Sequence, residues 1–155
     1  MKILIPFLGK TKEGYLDAGI RDYAVRLGRF AAVELPVLRE RHGRKDPDEA
    51  IKTFEAGQLL EQAATANLRV ALDPGGKTPD SFALAEMLTQ WEDQGMGTVC
   101  FLIGGHLGLH RSVLDRAQVT LSLSRLTFTH EMTRLILLEQ LYRAWTIKAG
   151  HKYHK

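Results

Sequence analysis

Val99-Cys100-Phe101-Leu102-Ile103-Gly104-Gly105-His106-Leu107-Gly108 is the stretch on which the fold turns. Its apolar run reads as a buried strand over residues 97–103, and its glycines as a tight loop ahead of a short helix near residues 111–117. The same alternation extends in both directions. Residues 2–8 read as a strand ending at Gly9. Residues 15–30 read as a helix, with Leu16, Ile20, Tyr23, Ala24 and Leu27 spaced at threes and fours. Residues 32–38 form a second strand. Asp46-Pro47-Asp48-Glu49 opens a helix over 50–66 with a capping residue, a proline and early acids. Residues 67–72 give a third strand, stopped by the turn Asp73-Pro74-Gly75-Gly76. Ser81 caps a helix to residue 94, residues 119–123 form the last strand, and a long helix covers 130–149. This order predicts an α/β fold, a mostly parallel sheet with helices on both faces, in one domain over residues 1–155.

Ligands of such sheets lie beyond the carboxyl ends of the strands. Three segments fall there: Leu72-Asp73-Pro74-Gly75, the glycine loop, and Leu123-Ser124-Arg125-Leu126-Thr127-Phe128. Glycines let backbone amides approach a ligand without a β-carbon in the way. The loop has neither the dinucleotide G-x-G-x-x-G spacing nor the lysine of a P-loop, and it reads equally as a strand–helix turn needing positive φ. The 123–128 segment joins apolar bulk to small hydroxyls. It suits an adenine sandwiched by side chains and read by backbone, or simply a strand end with Thr127 or Thr129 as helix cap. Asp73 is a candidate for a ribose hydroxyl and also a turn residue.

Bulk composition is that of an ordinary globule. Lys and Arg number 21 against 18 Asp and Glu, a net charge of +3. That balance alone points to no nucleic acid, but basic residues gather at Arg39, Arg41, Arg44 and Lys45 and again at Lys148, Lys152 and Lys155. Local clusters on a nearly balanced chain fit either a polyanion site or solvated surface. Cys100 reads as a buried structural thiol, and no Cys/His spacing of a metal site is present. No stretch has membrane-spanning length, so no membrane partner is expected and the cytoplasm is the expected compartment.

The end of the chain is unusual. A long helix rich in Met132, Leu135, Ile136, Leu137, Leu138, Leu141, Tyr142, Trp145 and Ile147 is apolar on more than one face, which points to a second copy as partner. Arg134 and Arg143 within it need partners, and a phosphate or a carboxylate across an interface would serve. The chain then closes on His151-Lys152-Tyr153-His154-Lys155, an aromatic, an imidazole and a cation side by side where chain ends usually fray. Such a tail is suited to gripping a phosphate-rich ligand and reads as part of an active site.

Leu102-Ile103-Gly104-Gly105-x-x-Gly108, Leu123-Ser124-x-Leu126-Thr127, Leu141-Tyr142-Arg143-Ala144-Trp145 and the terminal Tyr153-His154-Lys155, taken in register, resemble the ribosomal RNA large subunit methyltransferase H family. That family belongs to the SPOUT class of S-adenosyl-L-methionine-dependent enzymes, and the resemblance spans essentially the whole chain. It implies methylation of N3 of a pseudouridine in 23S rRNA, on the assembled ribosome, by a cytoplasmic homodimer using no metal. It also implies a trefoil knot in the C-terminal half, which no sequence rule would suggest. By resemblance, Leu72, Gly104, Leu123, Ser124, Arg125, Leu126, Thr127 and Phe128 hold S-adenosyl-L-methionine. His154 as base or orienting group and Tyr153 as stacking or hydrogen-bonding group are the catalytic candidates, with Arg143 and Lys155 on RNA phosphates. A regulator that binds S-adenosyl-L-methionine or a nucleotide without methyl transfer is the alternative, and it leaves Tyr153 and His154 unexplained.

Overall fold

Two prolines cut the first two strands at facing positions. In the computed structural model, which describes residues 1–39 and 46–154, Pro6 separates β1 (Lys2–Leu4) from β2 (Phe7–Leu8). After α1 (Gly14–Leu27), Pro36 separates β3 (Ala32–Glu34) from β4 (Val37–Leu38). Proline offers no N–H to a ladder, so each expected strand becomes two. The register survives the break: Leu4 pairs with Glu34 and Phe7 with Val37. The remaining elements are α2 (Asp48–Gln62), β5 (Leu68–Lys77), α3 (Ser81–Asp93), β6 (Thr98–Ile103), α4 (Arg111–Leu114), β7 (Val119–Leu121) and α5 (His130–Lys148). A single 3₁₀ turn, Lys152–His154, follows.

Five strands form one parallel sheet in the order β3-β1-β6-β5-β7, with β6 at its centre. Along β6, Val99, Phe101 and Ile103 face one apolar core while Cys100 and Leu102 face another, the period-two alternation of a strand buried on both sides. The first core packs against Ile20 and Leu27 of α1, Leu84, Leu88 and Trp91 of α3, and Leu137, Leu141 and Trp145 of α5. The second packs against Ala56 and Leu59 of α2 and Val113 beside them. Burial pushes the Cys100 thiol up to about 12, so it is a structural residue.

Three local expectations change. Asp80, not Ser81, caps α3, its Oδ1 accepting from Ala83 N at 2.8 Å, while Ser81 Oγ lies 3.2 Å from Gln140 Oε1. The Asp73-Pro74-Gly75-Gly76 turn does not end β5. The strand leaves the ladder after Leu72 and rejoins at Lys77, so that both residues pair with Leu121. A Cβ on Gly76 would lie 2.6 Å from Leu121 C and 2.7 Å from Leu121 N, so only glycine fits there. Finally, α5 lies between α1 and α3, and Leu137, Leu138, Leu141, Ala144 and Trp145 are all buried within the one chain. These neighbours account for much of the helix's apolar breadth, which therefore carries no separate argument for a second copy.

Gly57 sits inside α2, where a β-carbon would find no atom within 4 Å and the backbone has no positive φ. Gly57→Ala is expected to raise stability by about 0.5–1 kcal/mol through helix propensity and a less flexible unfolded chain. Urea denaturation reads it, and a lower midpoint would contradict the expectation.

Candidate functional site

Leu72, where β5 leaves the ladder, pairs in register with both Ile103 and Leu121, the last residues of β6 and β7. The loops that follow therefore open side by side at one edge. They form a cleft of about 190 Å³ with a wall from the first turn of α5. Leu72, Gly104, Leu123, Ser124, Leu126, Thr127 and Phe128 line it, seven of the eight positions expected to hold a cofactor. Arg125 is the exception. It is exposed at the tip of a turn in which Ser124 Oγ accepts from Leu126 N at 2.9 Å, and its side chain is not part of the wall. Asp73 and His106, the other candidates near these loops, also reach the cleft.

The glycine loop makes the turn that its sequence allows. Gly108 has φ of 76°, the left-handed turn that favours glycine. Gly104 is required for closeness instead: a Cβ there would lie 2.5 Å from Gly108 C and 2.6 Å from Leu109 N. Beneath the loop, the buried Glu55 of α2 sets its carboxylate against Gly105, where a Cβ would lie 2.7 Å from Oε1. No sequence signal marked Glu55. Across the cleft, hydroxyls shape the chain: Ser122 Oγ donates to Ser124 O at 2.8 Å, and Thr129 Oγ1 caps α5 by accepting from Met132 N at 3.2 Å. Asp73 Oδ1 accepts from Gly75 N at 2.8 Å, so this carboxylate builds the turn while reaching the cleft.

Sequence reasoning missed Ser122, His130 and Thr133 in the wall. His130 and Thr133 are three apart on α5 and so share a face, a signal helix periodicity carries once the helix start is known. The adjoining face of that turn is a clamp. Glu131 accepts from Lys12 N at 3.0 Å and Glu13 N at 3.1 Å, while Arg134 donates to Leu8 O at 2.7 Å and Thr11 Oγ1 at 3.0 Å. Arg134 also lies over the Phe7 ring, 4.5 Å from its centroid. Arg134 thus finds its partners inside the chain, not in a phosphate or a carboxylate across an interface. Burial opposes the charged form of Glu131, but the two amides, with Arg134 and His130 nearby, hold its carboxyl below the ordinary value.

The tail forms a second cluster, and none of its described residues lines the cleft of the same chain. Glu139 Oε1 accepts from Arg143 Nε at 3.1 Å, Arg143 Nη2 at 2.5 Å and the Tyr153 hydroxyl at 3.1 Å. The Tyr23 hydroxyl is 3.0 Å from that of Tyr153, tying α1 to the tail. Burial and these two hydrogen bonds push the Tyr153 phenol well above its usual range, so it stays protonated at neutral pH. The Glu139 hydrogen bonds likewise hold the Arg143 guanidinium protonated. Arg143 stacks 4.8 Å from the Tyr153 ring centroid and sets Nη1 3.5 Å from His154 Nδ1. The His154 and Phe82 rings meet edge to face, 4.7 Å between centroids. Arg41, Arg44 and Lys45 of the first basic cluster, His42, and the terminal Lys155 lie outside the described residues.

Comparison with known proteins agrees with this architecture. The family described as predicted SPOUT methyltransferase matches residues 1–154. The chain is 47% identical over 156 residues to ribosomal RNA large subunit methyltransferase H of Desulfotalea psychrophila, with 100% of both chains covered. It is 40% identical over 162 residues to the protein of that name in Streptococcus pneumoniae, again with 100% coverage of both. Among solved structures, a probable methylase family protein of Haemophilus influenzae superposes with a TM-score of 0.58 at 14% identity, covering 99% of this chain and 70% of that one. A probable methyltransferase of Bordetella pertussis gives 0.57 at 14% identity, covering 92% and 94%. At such identity the structural likeness speaks for the fold alone.

Proposed function

The chain belongs to the SPOUT methyltransferases, in the ribosomal RNA large subunit methyltransferase H family, and from that premise we propose that it methylates N3 of a pseudouridine in 23S rRNA on the assembled ribosome, using S-adenosyl-L-methionine. The observation that carries this reading is the convergence of three strand-end loops on one cleft, one of them a glycine loop that closes on itself so tightly that a β-carbon on Gly104 would strike the Gly108 main chain. The donor set fits the cofactor: apolar walls at Leu72, Leu123, Leu126 and Phe128 suit an adenine, and close backbone at Gly104 and Gly105 suits its polar edges. Leu72, Gly104, Leu123, Ser124, Leu126, Thr127 and Phe128 would hold it. When bound, S-adenosyl-L-methionine supplies an electrophilic methyl carbon, and the electrons of the broken C–S bond leave on sulfur.

The chain's own task is alignment and support of the nucleophile. N3–H of a pseudouridine is an imide, and its anion is the better nucleophile, so groups that stabilise negative charge on the base accelerate the reaction. Tyr153 and His154 are the proposed substrate-facing groups, with Arg143 behind them and Lys155 on phosphate. The tail does not line the cleft of its own chain, which supports a homodimer in which the tail of a second copy completes the site, and the compartment proposed for it is the cytoplasm. The knot of the family offers a reason for the double return of β5 onto Leu121, since a threaded segment must be held where the chain closes around it. The regulator reading has no use for a fixed cluster of Tyr23, Glu139, Arg143, Tyr153 and His154.

The test is methyl transfer from labelled S-adenosyl-L-methionine to ribosomes from a strain deleted for this gene, followed by mass mapping of the rRNA. One methyl on a pseudouridine of 23S rRNA is the expected product. His154→Ala is expected to slow single turnover by about 100-fold, and Tyr153→Phe by less, because the ring survives. Wild-type rates in both variants would remove the tail from the mechanism.

A further inference from the structure

His154 has two ring nitrogens in different surroundings. Nδ1 faces Arg143 Nη1 at 3.5 Å, and a guanidinium can only donate. Nδ1 must therefore accept, which leaves the proton of the neutral ring on Nε2. No hydrogen bond to Nε2 is formed among the described residues. Phe82 packs against the ring edge to face, and Arg143 is itself held by two hydrogen bonds to Glu139 and by the Tyr153 ring. This chain of contacts, from Glu139 through Arg143 to the imidazole, sets a tautomer in the same way that outer carboxylates set those of functional histidines.

We infer that His154 acts in methyl transfer as a hydrogen-bond donor through Nε2–H, not as the base that removes the imide proton, and that Arg143 is the positioning residue that fixes this tautomer. The inference rests on the proposed reaction and specifies the chemistry of that same site. Neither nitrogen of the ring offers a lone pair to the substrate: Nδ1 is covered by Arg143 and Nε2 carries hydrogen. Such a group meets a carbonyl oxygen of the imide, where negative charge gathers as N3 loses its proton. The N3 proton passes to water. The electron pair left on N3 forms the new N–CH₃ bond, and the hydrogen bond from His154 lowers the energy of the anion that supplies it. Tyr153 fits the same scheme, since its hydroxyl already donates to Glu139 and is no base either.

Two measurements test this. The first is ¹⁵N NMR of the full-length protein labelled at histidine, at neutral pH and without substrate. The expected His154 pattern is a proton-bearing Nε2 and a bare Nδ1. In Arg143→Met the two tautomers should mix, a change that a purely structural role for Arg143 would not produce. A wild-type Nδ1–H pattern would overturn the inference. The second is single-turnover methylation by His154→Gln, whose amide can donate near the Nε2 position. It is expected to stay within about tenfold of wild type while His154→Ala loses about 100-fold. Equal loss in both variants would overturn the donor role. Absence of transfer by the wild-type protein would instead overturn the proposed function, and the ¹⁵N spectra would still decide the tautomer.

Discussion

Gly104→Ala is expected to weaken S-adenosyl-L-methionine binding by at least about 100-fold, equivalent to about 2.8 kcal/mol. The reason lies in what the new methyl group would meet. Its nearest neighbours are Gly108 C, Leu109 N and Gly108 Cα at 2.5, 2.6 and 2.9 Å, all main-chain atoms. A flexible side chain would swing aside at little cost, but here the loop itself must shift. Leu109 is buried, so the loop cannot retreat without disturbing the core beneath it. The same residues line the cleft, and a displacement approaching about 1 Å there removes close backbone approach to a ligand. Titration calorimetry on the purified variant reads the effect directly. Affinity within about threefold of wild type would show that the glycine loop is not where the cofactor binds.

How far the chain was legible follows from which interactions are local. Strand and helix order is written in apolar periodicity, and the alternation on β6 that fixes two cores is present in the run from Val99 to Ile103. Pro6 and Pro36 were visible too, but as single residues inside apolar runs they did not announce that the two strands break at facing positions. The continuation of β5 past Asp73-Pro74-Gly75-Gly76 was hidden, because the turn signal is local while the pairing of Lys77 is with Leu121. The cleft was legible because loops after parallel strands converge wherever the strands are neighbours. Its α5 wall was not, since His130 reads first as a helix start. In the tail cluster, the pairing of Glu139 with Arg143 one turn away follows from helix spacing alone. The third donor to Glu139, Tyr153, and the link to Tyr23 depend on how α1 and α5 pack. Sequence carried the residue types of the site, and tertiary packing decided their partners.

Arg134→Met is expected to lower stability by about 3 kcal/mol, or about 6–12 °C in Tm for a chain of this size. Methionine fills most of the space, so a cavity does not account for the loss. What is lost is the pair of donors: Leu8 O, at the end of a buried strand, and Thr11 Oγ1 each lose a charged partner. The companion variant Glu131→Gln separates charge from shape. Glu131 has a carboxyl held below its ordinary value of 4.5, so its ionisation stabilises the fold above that pH and the contribution fades as pH falls further. The variant should therefore be less stable than wild type at neutral pH, with the gap closing below about pH 4.5. Thermal unfolding followed from about pH 7 to about pH 3 reads both effects, and a gap independent of pH would assign the role of Glu131 to packing. Because His130 and Thr133 line the cleft on the adjoining face of the same turn, both variants should also weaken cofactor binding, by less than Gly104→Ala. The buried ions of α5 would then tie the loop after β2 to the cofactor wall, a use of buried charge that stabilises one geometry more than it stabilises the fold as a whole.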